Sequence, residues 1–284
     1  MEKLTQNVYT ETKIRGCNPS IVFTSEGSVF IDTAQWITTL LQMRDFALEK
    51  GPIRCLINTE SHIDHIFGNH WFANECPIIG HEKLHETFYK IPPAFNMTTY
   101  DYNIDIIKRQ DPNGLKFMPS EEEYIIAMPT VTFSDRMSFR LGGHTFELYY
   151  TPGHSNANIS VYVPEERTVF VGDLVFSECQ TWLHTADPDD MIKSLRFIDS
   201  LDVDYIVPGH GPVVGKSYLK KQAAVMYEWL EAVANGMAKG WDEDECVKNI
   251  SFADRCPVDI GQSEAMDYIQ TNNVRVCYRY LSKH

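Results

Sequence analysis

The sequence predicts an α+β protein in which two sheets pack face to face with helices outside them. Two separate blocks of short strand patterns, at residues 21–79 and 131–207, are each accompanied by segments with helical periodicity. The length of 284 residues fits one large domain, or one domain with an appendage. Hydrophobic residues make up 43% of the chain and aromatic residues 12%, which is enough for a sizeable core.

The first block begins with strands at residues 21–23 and 28–33, joined by the turn residues Glu26 and Gly27. A helix is predicted over residues 37–50, because apolar residues recur there at helical spacing and the segment stops before Gly51. The remaining elements are predicted as a strand at 53–58, a helix through 67–73 and a strand at 77–79.

The second block predicts strands at 131–133, 137–139, 145–150, 159–163 and 168–171, then a helix at 191–201 and a strand at 204–207. Residues 217–239 and 263–282 are helical in pattern. We therefore predict a core domain at residues 1–216. We predict a helical extension at residues 217–284, which covers that core or pairs with a second copy in a homodimer.

Residues 89–130 interrupt the regular pattern. They are rich in Tyr, Pro, Asn, Asp and Met and have weak periodicity. A long irregular insertion in a compact enzyme is often a lid or a binding wall, and the alternative is a solvated insertion.

Composition and charge exclude several classes of partner. The net charge of −14 argues against a nucleic acid, which would need clustered Lys and Arg. No apolar stretch approaches the ~20 residues of a membrane helix, and residues 1–6 lack the apolar core of a signal peptide. Seven scattered cysteines, with no Cys-x-x-Cys pair, predict reduced thiols and a cytoplasmic protein. The expected partner is a small-molecule substrate.

A dense group of candidate metal ligands follows the strand at 53–58, in the sequence Glu60-Ser-His62-Ile-Asp64-His65. Three more candidates follow, each next to a glycine: His154, Asp173 and His210. Imidazoles and carboxylates together suit zinc, iron or manganese. Seven ligands are too many for one four-coordinate ion, but they fit two divalent ions that share a bridging carboxylate. Side chains two apart on an extended segment point the same way, so we expect Glu60, His62 and Asp64 to line one side.

The order of these residues resembles the signature of the metallo-β-lactamase superfamily. That signature is His-x-His-x-Asp-His, followed by a His, a bridging Asp and a last His; here Glu60 stands in place of the first His. The resemblance covers roughly the first three quarters of the chain. It implies a four-layer αβ/βα sandwich with residues 1–216 as the catalytic domain. It further implies one metal held by Glu60, His62 and His154, a second held by Asp64, His65 and His210, and Asp173 bridging both.

The function implied by the resemblance is hydrolysis. A metal-bridged hydroxide, oriented by Asp64, would attack the carbonyl of a thioester, ester, lactone or amide. The expected metal is zinc, with iron or manganese as alternatives. His184, near Trp182 in the loop after Asp173, could donate a hydrogen bond to the substrate or the oxyanion, and the alternative is ordinary loop packing. Asp32 resembles a position that supports the metal loop, and the alternative is a turn cap.

Three alternatives remain open from the sequence. Glu60, which adds a negative charge where the family has an imidazole, could fail to ligate and leave a one-metal enzyme. A diiron redox enzyme on the same fold is the second alternative, although flavodiiron proteins have the order His-x-Glu-x-Asp, the reverse of Glu60 and His62. A non-catalytic binding protein is the third, and six retained family ligands argue against it.

Overall fold

The computed structural model of the protein describes residues 1–89, 99–259 and 263–284. In these residues the strands are β1 (Glu2–Lys3), β2 (Val8–Thr10), β3 (Ser20–Thr24), β4 (Gly27–Ile31), β5 (Ile53–Ile57), β6 (Ile78–His81), β7 (Val131–Phe133), β8 (Arg136–Leu141), β9 (His144–Tyr150), β10 (Ile159–Val163), β11 (Thr168–Phe170) and β12 (Tyr205–Val207). The helices are α1 (Ile37–Leu48), α2 (Ile63–Ile66), α3 (Leu84–Tyr89), α4 (Tyr100–Gln110), α5 (Pro188–Ser200), α6 (Ser217–Ala238), α7 (Glu243–Asn249) and α8 (Met266–Leu281).

The strands form two sheets whose order follows the chain closely. The first sheet has the order β1-β2-β3-β4-β5-β6-β7, antiparallel up to β4 and parallel from β4 to β7. The second has the order β12-β11-β10-β9-β8, antiparallel except for the parallel pair β11 and β12. The parallel pairs matter for function, because the carboxyl ends of parallel strands meet at one edge.

The core is built as three apolar interfaces that separate four layers. Between the sheets, Val29 and Ile57 of the first sheet pack with Phe146 and Val161 of the second. Alternate residues of the same strands face the other way, so that Phe30 and other side chains of the first sheet pack against α1. The outer face of the second sheet packs against α5 to α8. The predicted α+β fold and its four-layer αβ/βα arrangement are confirmed.

The helices after residue 216 share a core with the second sheet. Trp229 of α6 and Val274 of α8 are 2% and 0% exposed, and both belong to the cluster that contains Val169 of β11 and Leu195 of α5. The exclusion of this apolar surface from water stabilises the contact. A domain boundary at residue 216 stays a prediction.

The insertion at 89–130 is more regular than predicted. It contains α4, whose N-cap is Thr99, and a 3₁₀ turn at Gly114–Phe117. The sequence pattern obscured α4 because this helix buries a polar residue, Asn103, whose Oδ1 accepts a hydrogen bond from Gln35 Nε2 at 2.7 Å. The part of the lid prediction that falls on residues 90–98 lies outside the described residues.

The elements missed by pattern analysis are short or polar. Strands β1 and β2 have two and three residues, too few for an alternation to register. Helix α7 is seven residues of largely charged sequence, held at its start by a capping box between Asp242 and Glu245.

Among the described residues, no helix combines the length and the apolar composition needed to cross a bilayer.

Candidate metal centre

The candidate ligands all lie just beyond the carboxyl ends of strands. Residues 60–65 follow β5, His154 follows β9, Asp173 follows β11 and His210 follows β12. These four strands belong to both sheets, so the ligand loops converge at one edge of the sandwich. Sheet-based folds commonly gather their sites at this edge.

The motif itself is only partly extended, which corrects our prediction. His62 has extended backbone angles (φ −68°, ψ 148°) and caps α2, which begins at Ile63. The predicted helix through 67–73 is instead a 3₁₀ turn at Phe67–Trp71 that continues α2. Because the chain turns helical after His62, the carboxylate of Asp64 points away from Glu60 and His62 and joins a different group of side chains.

A first group consists of Glu60, His62, His154 and one oxygen of Asp173. His62 Nδ1 is 2.7 Å from Glu60 Oε1 and 3.2 Å from His154 Nε2. His154 Nε2 is 3.3 Å from Asp173 Oδ2. Glu60 and His154 are fully buried.

A second group consists of Asp64, His65 and His210, and it faces the other oxygen of Asp173. Asp173 Oδ1 is 3.1 Å from His65 Nε2 and 3.2 Å from His210 Nε2. Asp64 Oδ2 is 3.3 Å from His210 Nε2 and 4.0 Å from His65 Nε2. The structure therefore brings all seven candidate ligands together, with the carboxylate of Asp173 between the two groups.

Unsatisfied polar atoms test whether metal ions fit here. Within the part of the chain that the structure describes, Glu60 Oε2, His65 Nε2 and Asp173 Oδ1 are buried and make no hydrogen bond of acceptable geometry, although His65 Nε2 and Asp173 Oδ1 lie 3.1 Å apart. Buried polar atoms without a partner cost free energy unless another ligand satisfies them. All three atoms face the interior of the two groups. Divalent cations with nitrogen and oxygen ligands would satisfy them.

Each of three imidazoles has its outer nitrogen bound by a partner outside the two groups. His65 Nδ1 is 2.9 Å from Asp32 Oδ2, His154 Nδ1 is 2.8 Å from Trp182 O, and His210 Nδ1 is 2.6 Å from Asp259 Oδ2. A hydrogen bond of this kind fixes the tautomer and leaves Nε2 free to bind a metal. The three contacts thus orient the rings inward.

Asp32 is placed as the sequence predicted, beneath the metal loop. Its Oδ1 accepts a hydrogen bond from Thr59 N at 2.7 Å, and its Oδ2 accepts one from Thr59 Oγ1 at 2.5 Å. Its backbone φ of 56° is uncommon for a residue other than glycine. Burial raises the pKa of this carboxyl, although the neighbouring His65 opposes the rise.

Sequence reasoning missed two residues that brace His210. Asn18 holds the loop from both sides: its Nδ2 donates to Pro208 O at 2.9 Å and to Gly211 O at 2.7 Å. Asp259 contacts the ring itself. Both residues are distant from His210 along the chain and stand in unremarkable local sequence, so only the folded chain reveals them.

Other side chains near the motif lie at different distances from the two groups. His184 Nε2 is 3.2 Å from His62 Nε2, so His184 borders the first group, and Trp182 contributes its carbonyl to His154. His70 Nδ1 accepts a hydrogen bond from Ile125 N, away from both groups. Cys17 lies beside His65, and burial raises its pKa to about 12, which keeps this thiol protonated.

The charges of the site predict that metal binding releases protons. Burial lowers the pKa of His210, but the carboxylates of Asp173 and Asp259 outweigh it and raise that pKa well above the usual histidine value. This ring therefore carries a proton on both nitrogens near neutral pH in the metal-free pocket, and a metal must displace one of them.

We expect release of at least about one proton per chain at pH 7 when zinc binds. We also expect the apparent affinity to fall as the pH falls. Calorimetry in buffers of different ionisation enthalpy measures the release. An equal heat in all buffers would contradict this protonation pattern.

Gly209 leaves no room for a side chain next to Asp173. A Cβ atom at this position would lie 1.9 Å from Asp173 Oδ1 and 2.8 Å from the carbonyl carbon of Gly172. We therefore expect Gly209→Ala to displace the carboxylate and to lower the free energy of unfolding by about 1–3 kcal/mol.

Metal content and urea unfolding test this expectation. The matched control is Gly215→Ala, since a Cβ there meets its nearest neighbouring atom at 3.8 Å. Wild-type metal content in Gly209→Ala would mean that the loop gives way without moving Asp173.

Comparison with known proteins shows the family to which this chain is similar. The profile of the metallo-β-lactamase superfamily matches residues 13–210. The chain is 26% identical to Beta-lactamase-like protein 2 homolog of Caenorhabditis elegans over 72% of its length and 58% of that protein. It is 24% identical to a linear primary-alkylsulfatase of Pseudomonas sp. (strain ATCC 19151), over 80% and 48%. It is 25% identical to an atrochrysone carboxyl ACP thioesterase of Aspergillus fumigatus, over 76% and 57%. The chain thus spans about half to three fifths of the length of these relatives.

Solved structures share the fold at low sequence identity. A metallo-beta-lactamase from Pontibacter korlensis matches with a TM-score of 0.60 and 20% identity, over 80% of this chain and 97% of that one. The sec-alkylsulfatase Pisa1 from Pseudomonas sp. matches with a TM-score of 0.68 and 16% identity, over 99% of this chain and 50% of that one. The second match includes the helices after residue 216.

Proposed function

This chain belongs to the metallo-β-lactamase superfamily, with Glu60 in place of the first His of its motif, and from this premise we propose that it is a hydrolase with a dinuclear metal centre. The proposed substrate is a small molecule with an electrophilic carbonyl: a thioester, ester, lactone or amide. The observation that carries the proposal is the carboxylate of Asp173, whose two oxygens face two separate groups of candidate ligands.

The proposed ligand sets follow the two groups. Glu60, His62 and His154 would hold one ion, Asp64, His65 and His210 the other, and Asp173 would bridge them. When bound, divalent ions would supply Lewis acidity that activates water and polarises a carbonyl oxygen. Zinc is the proposed metal, since histidine and carboxylate ligands both suit it.

Two side chains are proposed to act on the reactants. Asp64 is the most exposed of the seven candidate ligands, with 20% of its side chain accessible, whereas Glu60 and His65 are inaccessible. Its carboxylate can therefore orient a water molecule that arrives from solvent. His184 stands at the rim beside His62, where an imidazole N–H could donate to the substrate oxygen.

The names of the relatives and an apolar cluster beside the motif support this substrate class. One relative is named a thioesterase, which fits a carbonyl substrate; another is named an alkylsulfatase, which supports hydrolysis in general but acts on a sulfate ester. Leu115, Met118 and Tyr124 pack in one apolar cluster with Ile63 and Ile66 of α2, which lies beside the candidate ligands. An apolar cluster there favours a substrate with a hydrophobic portion.

The donor set also favours a second candidate. Three carboxylates, Glu60, Asp64 and Asp173, make the centre harder than a histidine-rich site, which suits iron or manganese. A diiron redox enzyme on this fold is therefore the alternative proposal.

A cytoplasmic location is proposed on different grounds. All seven cysteines are free thiols, as expected for a protein kept in a reducing compartment. Pairing of two copies through the C-terminal helices stays a prediction.

The deciding experiment is metal analysis of protein purified without added metal, followed by assays with thioesters, lactones and esters. We expect close to two zinc ions per chain and hydrolysis of at least one of these substrates, abolished by a chelator and restored by zinc. Two irons with visible absorbance would favour the redox alternative. Protein that binds no metal under any loading condition would contradict the proposal.

A further inference from the structure

Asp259 belongs to the part of the chain beyond the family match, yet it contacts the candidate metal centre. The match ends at residue 210, and Asp259 lies between α7 and α8. Its Oδ2 is 2.6 Å from Nδ1 of His210, on the side of the ring that faces away from Asp173. Only 13% of its side chain is exposed.

The segment that carries Asp259 is fixed to the loop that follows Asp173. Gln180 N donates to Pro257 O at 2.9 Å, and Gln180 Nε2 donates to Phe252 O at 3.1 Å and to Cys256 O at 2.8 Å. Gln270 of α8 in turn donates to Gln180 Oε1 at 2.9 Å. These buried bonds hold residues 252–257 against the site, so the contact of Asp259 with His210 is built into the fold.

The partners of the three oriented imidazoles differ between the two groups. In the second group both rings have a carboxylate on the outer nitrogen: Asp32 for His65 and Asp259 for His210. In the first group, His154 has only the neutral carbonyl of Trp182. A carboxylate on the outer nitrogen makes the ring a more basic ligand than a carbonyl does.

We propose that Asp259 is a positioning residue for the second metal ion, so that the C-terminal extension completes the centre instead of merely covering the core. Asp259 accepts the Nδ1 proton of His210, so that Nε2 is the nitrogen available to a metal, and aims Nε2 toward Asp64 and Asp173. This inference rests on the proposed metal ligation. It adds that binding of the second ion depends on Asp259 of the C-terminal extension, whereas binding of the first ion does not.

The test is a titration of the metal-free full chain with Co²⁺, followed by visible absorption, and with Zn²⁺, followed by calorimetry. For Asp259→Ala we expect one of two ions to bind about 10–100-fold more weakly and the other to bind as in the wild type. Asp259→Asn keeps an acceptor oxygen but loses the charge, so an intermediate loss is expected. The matched control is Asp254→Asn, which removes the same charge from an exposed position of the same segment.

Two results would overturn the inference. One is two ions bound with wild-type affinity and an unchanged Co²⁺ spectrum in both Asp259 variants. The other is equal weakening of both ions together with a lower melting temperature of the metal-free protein, because that pattern indicates a general structural role. Failure of the proposed function is distinguishable, since it would appear in the wild type itself as a chain that binds no Co²⁺ or Zn²⁺.

Discussion

Asp173→Ala is expected to remove both metal ions together and to lower kcat/KM by roughly 10³-fold or more, since metal catalysis contributes several kcal/mol. The reason is that Asp173 Oδ2 faces His154 of the first group while Asp173 Oδ1 faces His65 and His210 of the second. In the metal-free pocket, burial raises the pKa of Asp173, but His210, His65 and His154 outweigh it and hold the pKa well below the usual value. The residue is therefore a carboxylate that both groups share.

The measurement is metal content per chain, with activity on the substrate identified by screening. Asp64→Ala is the matched variant within the site, because Asp64 contacts only the second group and its removal should cost one ion. Circular dichroism of both metal-free variants establishes that they fold. Retention of one ion at full affinity in Asp173→Ala would show that this carboxylate serves a single site.

Replacement of Glu60 is expected to separate its charge from its role as a ligand. Glu60 is fully buried, and its Oε1 lies 2.7 Å from His62 Nδ1 and 3.2 Å from His65 Nε2. Glu60→Gln keeps the size but removes the charge, so we expect the ion of the first group to bind roughly 10–100-fold more weakly. Glu60→His supplies the imidazole found at this position in the superfamily signature, so we expect two ions and retained hydrolysis.

The pH profile makes the Glu60→His result more informative. An imidazole carries one negative charge fewer than a glutamate, so the bound ion becomes a stronger Lewis acid and the acidic limb of the kcat profile should move to lower pH. Metal content is measured in parallel, because a variant that has lost its metal would also show a changed pH profile. Complete loss of metal in Glu60→His would show that the pocket requires a carboxylate, and an unchanged Glu60→Gln would remove Glu60 from the ligand set.

The fold class was predictable because its signals are local. Strand β9 and helix α6 have the periodicity of half-buried elements, and the apolar faces that they predict are the ones that pack between the layers. The four-layer arrangement itself depended on the family resemblance. Helix α4 was not predicted because it buries Asn103 in place of an apolar residue. Asn103 accepts a hydrogen bond from Gln35, and this contact exists only in the folded chain.

The residues at the centre of the candidate site were predictable from the sequence, whereas some of the residues that surround them were not. The seven candidate ligands stand in recognisable loops, with glycines beside His154, Asp173 and His210. Of the residues that orient them, Asp32 was recognised from its place at the end of a strand, whereas two others were not. Nothing near Asn18 or Asp259 in the sequence distinguishes them, since their role comes from contacts that only tertiary structure creates. The ligand roles of the seven residues and the positioning role of Asp259 are proposals that the experiments above test.

The parts that meet at His210 come from nearly the whole length of the chain. Asn18 braces its loop, Asp64 and Asp173 face its Nε2, and Asp259 holds its Nδ1. Contacts of such long sequence separation form late in folding, because loop closure must precede them. During synthesis the ribosome must therefore release the chain as far as Asp259 before the pocket proposed for the second ion is complete. On the proposal made for Asp259, chains that stop before this residue would bind the second ion about 10–100-fold more weakly than chains that contain it.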